Sequence, residues 1–138
     1  MALSLELAKK LIELGKQKAE TDFGRPICIA IGDDSGALLS FDRMENAPLR
    51  SIRIAQQKAY TAIRMGVSTD VFLSRLQQDN LNISYYCDSY LTALPGGNLL
   101  KDKSGKIIGS VGVSGLAVSE DQRITEYIAQ IVDEEMLD

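Results

Sequence analysis

The chemistry open to this sequence is bounded by a residue it lacks: there is no histidine among its 138 residues. That excludes a Ser-His-Asp triad, a Cys-His pair, a His-ligated zinc and a haem held by a proximal His. Metal or acid–base chemistry falls to Asp, Glu, Lys, Tyr, Cys or the backbone. The two cysteines, Cys28 and Cys87, stand far apart and form no CxxC pair, so neither a zinc knuckle nor a disulfide framework is indicated, and reduced thiols are expected. No pair of carboxylates is spaced for general acid–base work, and no nucleophile has an evident base.

What remains is suited to holding a small molecule. Arg43, after an apolar run, and Lys58, inside an alanine-rich stretch, are the cations placed to meet a ligand carboxylate; a structural ion pair with Glu45 or Asp42 is the alternative. Tyr85, Tyr86 and Tyr90, with Cys87 between them, are the densest aromatic cluster in a chain without tryptophan. They could stack on a flat ring or offer a phenolate or thiolate, or they could pack a loop or a subunit interface. Pro95, Gly96 and Gly97, and the series Gly109, Gly112, Gly115, permit close backbone approach to a ligand, or serve as strand bends and turns. Ser114 and Asp121 could complete a pocket rim or act in turns and caps. No P-loop and no dinucleotide fingerprint occurs.

These residues must be positioned by one domain. Fifteen Lys and Arg against 19 Asp and Glu give a net charge of −4 with no basic stripe, which argues against nucleic acid as partner. The start Met1-Ala2-Leu3-Ser4 does not read as a signal, and no stretch approaches the roughly 18 apolar residues of a membrane span, so the expected location is the cytoplasm.

Apolar spacing predicts a helix from Ser4, as cap, to about Ala19. Pro26 to Ile31 reads as a strand buried on both faces, and Asp33-Asp34-Ser35-Gly36 as the turn into a second strand, Ala37 to Arg43. Arg50 to Met65 is a helix with small residues on one side, ended by Gly66, and Thr69 to about Gln77 a shorter one. Leu91–Leu94, Asn98–Lys101 and Ile107–Val113 read as three short strands in a meander. Ser119 is the expected cap of a last helix, with Gln122 at the capping-box position, and the acidic tail Asp133-Glu134-Glu135 opposes the helix dipole, so fraying is expected there. The order α-β-β-α-α-β-β-β-α indicates an α+β fold: an antiparallel sheet with helices on both faces.

In order and spacing, the segments Asp33–Met44, Ser51–Ala62, Pro95–Gly97 and Ile108–Gly115, with Glu120-Asp121 after them, resemble the GlcG / HbpS / PduO C-terminal family from about Leu5 to Ile131. The resemblance implies a profilin-like three-layer fold with a five-stranded antiparallel sheet, a homo-oligomer, and a small-molecule ligand of the haem or corrinoid kind. Many relatives read Gly-Gly-His-Leu where this chain has Ser35-Gly36-Ala37-Leu38. Some are fused to a cob(I)alamin adenosyltransferase domain that this chain does not contain. The expected function is small-ligand binding without identifiable catalytic machinery, with contacts from Arg43, Lys58, Tyr85, Tyr86, Pro95, Gly96, Gly97, Ser114 and Asp121. The alternative is an oligomeric accessory protein of a metabolic, for instance cobalamin-dependent, enzyme system.

Overall fold

The computed structural model describes residues 3–133, so Glu134 and Glu135, where fraying is predicted, lie outside the described residues. Helix α1 (Leu5–Phe23) starts where Ser4 accepts a hydrogen bond from the Leu7 amide. Strands β1 (Cys28–Asp33) and β2 (Leu38–Arg43) form the predicted hairpin, and the Asp33 carboxylate holds its turn by accepting from the amides of Ser35 and Ala37. Helices α2 (Arg50–Met65) and α3 (Thr69–Gln78) follow. Strands β3 (Gly97–Lys101) and β4 (Ile107–Ser114) form a second hairpin, whose Asp102 repeats the device of Asp33, and α4 (Val118–Ile131) closes the described chain.

The described strands form one antiparallel sheet in the order β2-β1-β4-β3. This corrects the expected five strands to four. Leu91–Leu94, the missing fifth, lies across α2 and α3 instead of beside a strand. Three of its backbone donors go elsewhere than to a strand, Leu91 N–H to the Asp88 carbonyl, Thr92 N–H to the Thr61 hydroxyl on α2 and Leu94 N–H to the Thr92 hydroxyl, and Leu91 buries against Phe72 and Leu76. Pro95 then removes the next donor. The last helix also starts differently: its cap is Ala117, whose amide donates to Glu120, while Gln122 is turned inward to another partner.

The central strands sort their side chains by size. Ile27, just before β1, and Ile29 and Ile31 on it join Val111 and Val113 of β4 in the main core, packed under Leu11 and Ile12 of α1 and Ile124 and Ile128 of α4. Their alternate neighbours, Cys28 and Ala30, face Ala55 and Ala59 of α2, and on β4 the same face carries Ser110 and Gly112. A period of two places all large residues on one face and all small ones on the other. Helix α2 therefore lies close enough for the Ser110 hydroxyl to donate to the Ala59 carbonyl at 2.7 Å. A methyl group on Gly112 would run into the Ala55 carbonyl oxygen and lie 2.6 Å from the Ala59 nitrogen.

Candidate functional site

Close docking of α2 carries Lys58 into the interior. Its side chain is 1% exposed and that of Asp121 2%. The Lys58 ammonium donates to the Asp121 carboxylate at 3.1 Å and to the Val113 carbonyl at 2.8 Å, and the second Asp121 oxygen accepts from the Leu116 amide at 3.1 Å. Burial pulls the Lys58 pKa down and lifts that of Asp121, and each partner opposes the shift of the other. Gly96 (φ 123°) lies over the pair: a Cβ there would sit 2.7 Å from the Lys58 ammonium and 2.6 Å from the Val113 carbonyl, in a conformation L side chains avoid. The Gly96 amide donates to Gln122 at 2.7 Å, the Gly97 amide to Thr69 at 2.9 Å, and the buried Ser114 hydroxyl to Ser51 at 3.0 Å. The buried Gln122 side-chain nitrogen has no partner among the described residues.

Of the residues singled out from sequence, Lys58, Gly96, Gly97 and Asp121 thus meet at one buried ion pair, and Pro95 and Ser114 adjoin it along the chain, next to Gly96 and Val113. Neither Glu45 nor Asp42 is the acid of the pair: Asp42 pairs with Lys16. Arg43 lies apart from it, its guanidinium donating twice to the Ala47 carbonyl at 3.2 and 2.9 Å and closing the loop before α2.

The outward stripe of α2 builds a second feature. Arg53, Gln57, Tyr60 and Arg64 recur at helical spacing opposite the alanine face. They hold the segment around residues 83–91: Tyr60 donates to Asp88 at 2.6 Å, Gln57 to the Tyr90 carbonyl at 3.2 Å, and Arg64 approaches Asp88 at 3.4 Å. The Tyr60 and Tyr90 rings meet edge to face at 5.0 Å, and the Arg53 guanidinium lies 5.7 Å from the Tyr90 ring centre. The hydrogen bond to Asp88 raises the Tyr60 pKa and lowers that of Asp88.

Between this segment, α2 and the β1–β2 turn lies a cavity of about 100 Å³, lined by Gly32, Gly36, Leu38, Gln56, Ala59, Tyr60 and Tyr90. On the other side of the segment is an open groove of about 420 Å³ that includes Ile83, Cys87, Asp88 and Leu91. Tyr85 is 67% exposed, and Tyr86 packs edge-on against Phe72. Sequence reasoning passed over Arg53, Gln56 and Tyr60, although the polar stripe opposite the alanines was there to be read.

A family model described as haem degrading protein HbpS-like matches residues 3–130. The chain belongs to the HbpS-like family. This HbpS-like chain is 33% identical to protein GlcG of Escherichia coli K12 over 113 residues, 81% of each chain. It is 30% identical over 125 residues to an uncharacterized 15.0 kDa protein from the dhaT-dhaS intergenic region of Citrobacter freundii, covering 90% of this chain and 87% of that one. The corrinoid adenosyltransferase PduO of the same organism is 29% identical over 128 residues, but the HbpS-like chain spans only 38% of it. Among solved structures, PduOC in complex with haem has a TM-score of 0.85 at 26% identity, with 100% of both chains covered, and HbpS has 0.84 at 26%, covering 96% of this chain and 91% of that one.

The cleft by the β1–β2 turn is lined by Leu38 and two aromatic rings, and the Arg53 guanidinium lies beside Tyr90. It offers no imidazole, since the sequence contains no histidine.

Proposed function

We propose that this chain is a small-ligand-binding protein whose ligand is haem, received in the cleft between the β1–β2 turn and α2. The observation that carries the reading is the match, over the full length of both chains, to PduOC in complex with haem. The cleft supports it: Leu38, Tyr60 and Tyr90 present apolar and aromatic surface beside an exposed arginine. A cavity of about 100 Å³ takes only the edge of a macrocycle. The rest of the ring lies on the surface around Leu38, which is 52% exposed and which we assign to contact between copies of the chain in a homo-oligomer.

In this reading Lys58, Asp121, Ser114 and the Pro95–Gly97 turn set the position of α2 and act on the ligand through it. Arg43 holds the end of the hairpin, and Tyr86 anchors the segment on Phe72. Cys87 lines the outer groove on the far side of the segment and would meet the iron only of a ring seated there, and Tyr85 is exposed outside the cleft. Haem is held here by apolar and cationic contacts, without an axial imidazole.

The test is titration of the purified protein with haemin and, separately, with cobalamin, following Soret absorbance and thermal stability. Saturable haemin binding that Leu38→Asp abolishes supports the cleft. Binding that survives Leu38→Asp and is lost in Cys87→Ala places the ring in the outer groove. No saturable haemin binding rejects haem as the ligand.

A further inference from the structure

The charge of α2 is out of keeping with the rest of the protein. The chain carries a net −4, yet no Asp or Glu occurs from Asn46 to Thr69, while Arg50, Arg53, Lys58 and Arg64 do. Lys58 is neutralised inside by Asp121, and Arg64 lies 3.4 Å from Asp88. Arg50 and Arg53, one turn apart on the exposed face, have no carboxylate within ion-pair distance among the described residues. Arg53 also stands beside the cleft: its guanidinium lies 5.7 Å from the ring centre of Tyr90, one of the residues that line it, while Tyr90 is held by Tyr60 and by the Gln57 amide. A planar cation over an aromatic ring that lines an apolar cleft is suited to receive a carboxylate, because the guanidinium fork donates to both carboxylate oxygens at once.

We infer that Arg53, with Arg50 one turn before it, selects a ligand that carries carboxylates on an apolar ring, holding those carboxylates outside the cleft while the ring edge enters between Leu38, Tyr60 and Tyr90. The inference rests on the haem reading and deepens it: the two arginines recognise the propionates, so the site is specific for a dicarboxylate macrocycle and discriminates against its neutral ester. Neither arginine was among the cations singled out from sequence. Arg43 donates to the Ala47 carbonyl, and Lys58 is buried.

Binding of haemin and of haemin dimethyl ester, measured in the same dilute detergent at low and high salt, separates this inference from the reading beneath it. Haemin should bind more tightly than the ester, and only haemin should weaken as salt rises. Arg53→Gln should raise the haemin Kd about fivefold, as expected for one exposed charge-assisted contact, and leave the ester unchanged. Arg53→Lys should recover part of the loss, and Arg75→Gln, an exposed arginine on α3, should match the parent protein. Equal affinity for haemin and ester, untouched by Arg53→Gln, overturns the inference and leaves haem binding standing. Failure of both compounds to bind overturns the haem reading and the inference with it.

Discussion

The Lys58 ammonium and the Asp121 carboxylate meet at 3.1 Å inside the protein, joining α2 to the start of α4 beside the C-terminal end of β4. Each charge has left water, and each is compensated by the other together with one main-chain group, the Val113 carbonyl for Lys58 and the Leu116 amide for Asp121. A buried pair of this kind contributes little net stability over an apolar substitute, but breaking it leaves an uncompensated charge.

Lys58→Met should therefore cost about 3–5 kcal/mol, and Asp121→Leu a loss in the same direction. The double variant Lys58→Met/Asp121→Leu should recover more than half of the summed loss, because no lone charge remains. Urea unfolding of the four proteins measures this as a coupling energy. Additive losses would show that the two side chains act independently.

The Gly112→Ala variant should lose about 3 kcal/mol or more, since the added methyl meets the α2 backbone at Ala55 and Ala59 and the helix must lift off the sheet. Gly105 (φ 86°) has nothing within 4 Å of where its Cβ would be, so Gly105→Ala should cost only the backbone strain, about 1–2 kcal/mol. Thermal unfolding of the pair checks the contrast, and similar losses would show that α2 has room to shift.

Acid should loosen the segment around residues 83–91. Three carboxyls lie below their ordinary values: Asp88 through the Tyr60 hydroxyl, Asp102 through the Ser104 hydroxyl and Glu120 through the Ala117 amide. A depressed carboxyl contributes stability that is present above its unfolded value and is lost as the pH falls through the folded one. The urea midpoint should therefore hold steady above about pH 5 and fall below about pH 4, as these groups take up protons. Asp88→Asn should show a shallower fall and faster amide exchange in the segment at neutral pH. An unchanged slope would show that Asp88 does not hold the segment.

The sequence by itself determined the elements and much of the architecture. Helix α2 is bounded by residues 50 and 65 as its apolar spacing and Gly66 predict, and the first hairpin follows from Asp33 and Gly36, because these signals are local and act through hydrogen bonds within a few residues. The zero histidine count bounded the chemistry before any fold was known. The alternation Ile27-Cys28-Ile29-Ala30-Ile31 was legible as a doubly buried strand, although which face takes α2 was not.

Only the tertiary structure decided the rest. That Lys58 pairs with Asp121, 63 residues away, instead of with a nearby acid depends on how closely α2 approaches β4, which the small residues on both surfaces permit together. Leu91–Leu94 has the composition of a strand, yet three of its donors are satisfied by Asp88, Thr61 and Thr92, and its side chain Leu91 finds its burial against Phe72 and Leu76. The cleft at Leu38, Tyr60 and Tyr90 exists because a hairpin, a helix and an irregular segment meet there. Periodicity describes what a residue's neighbours along the chain require; it carries no record of which distant backbone will arrive to satisfy them.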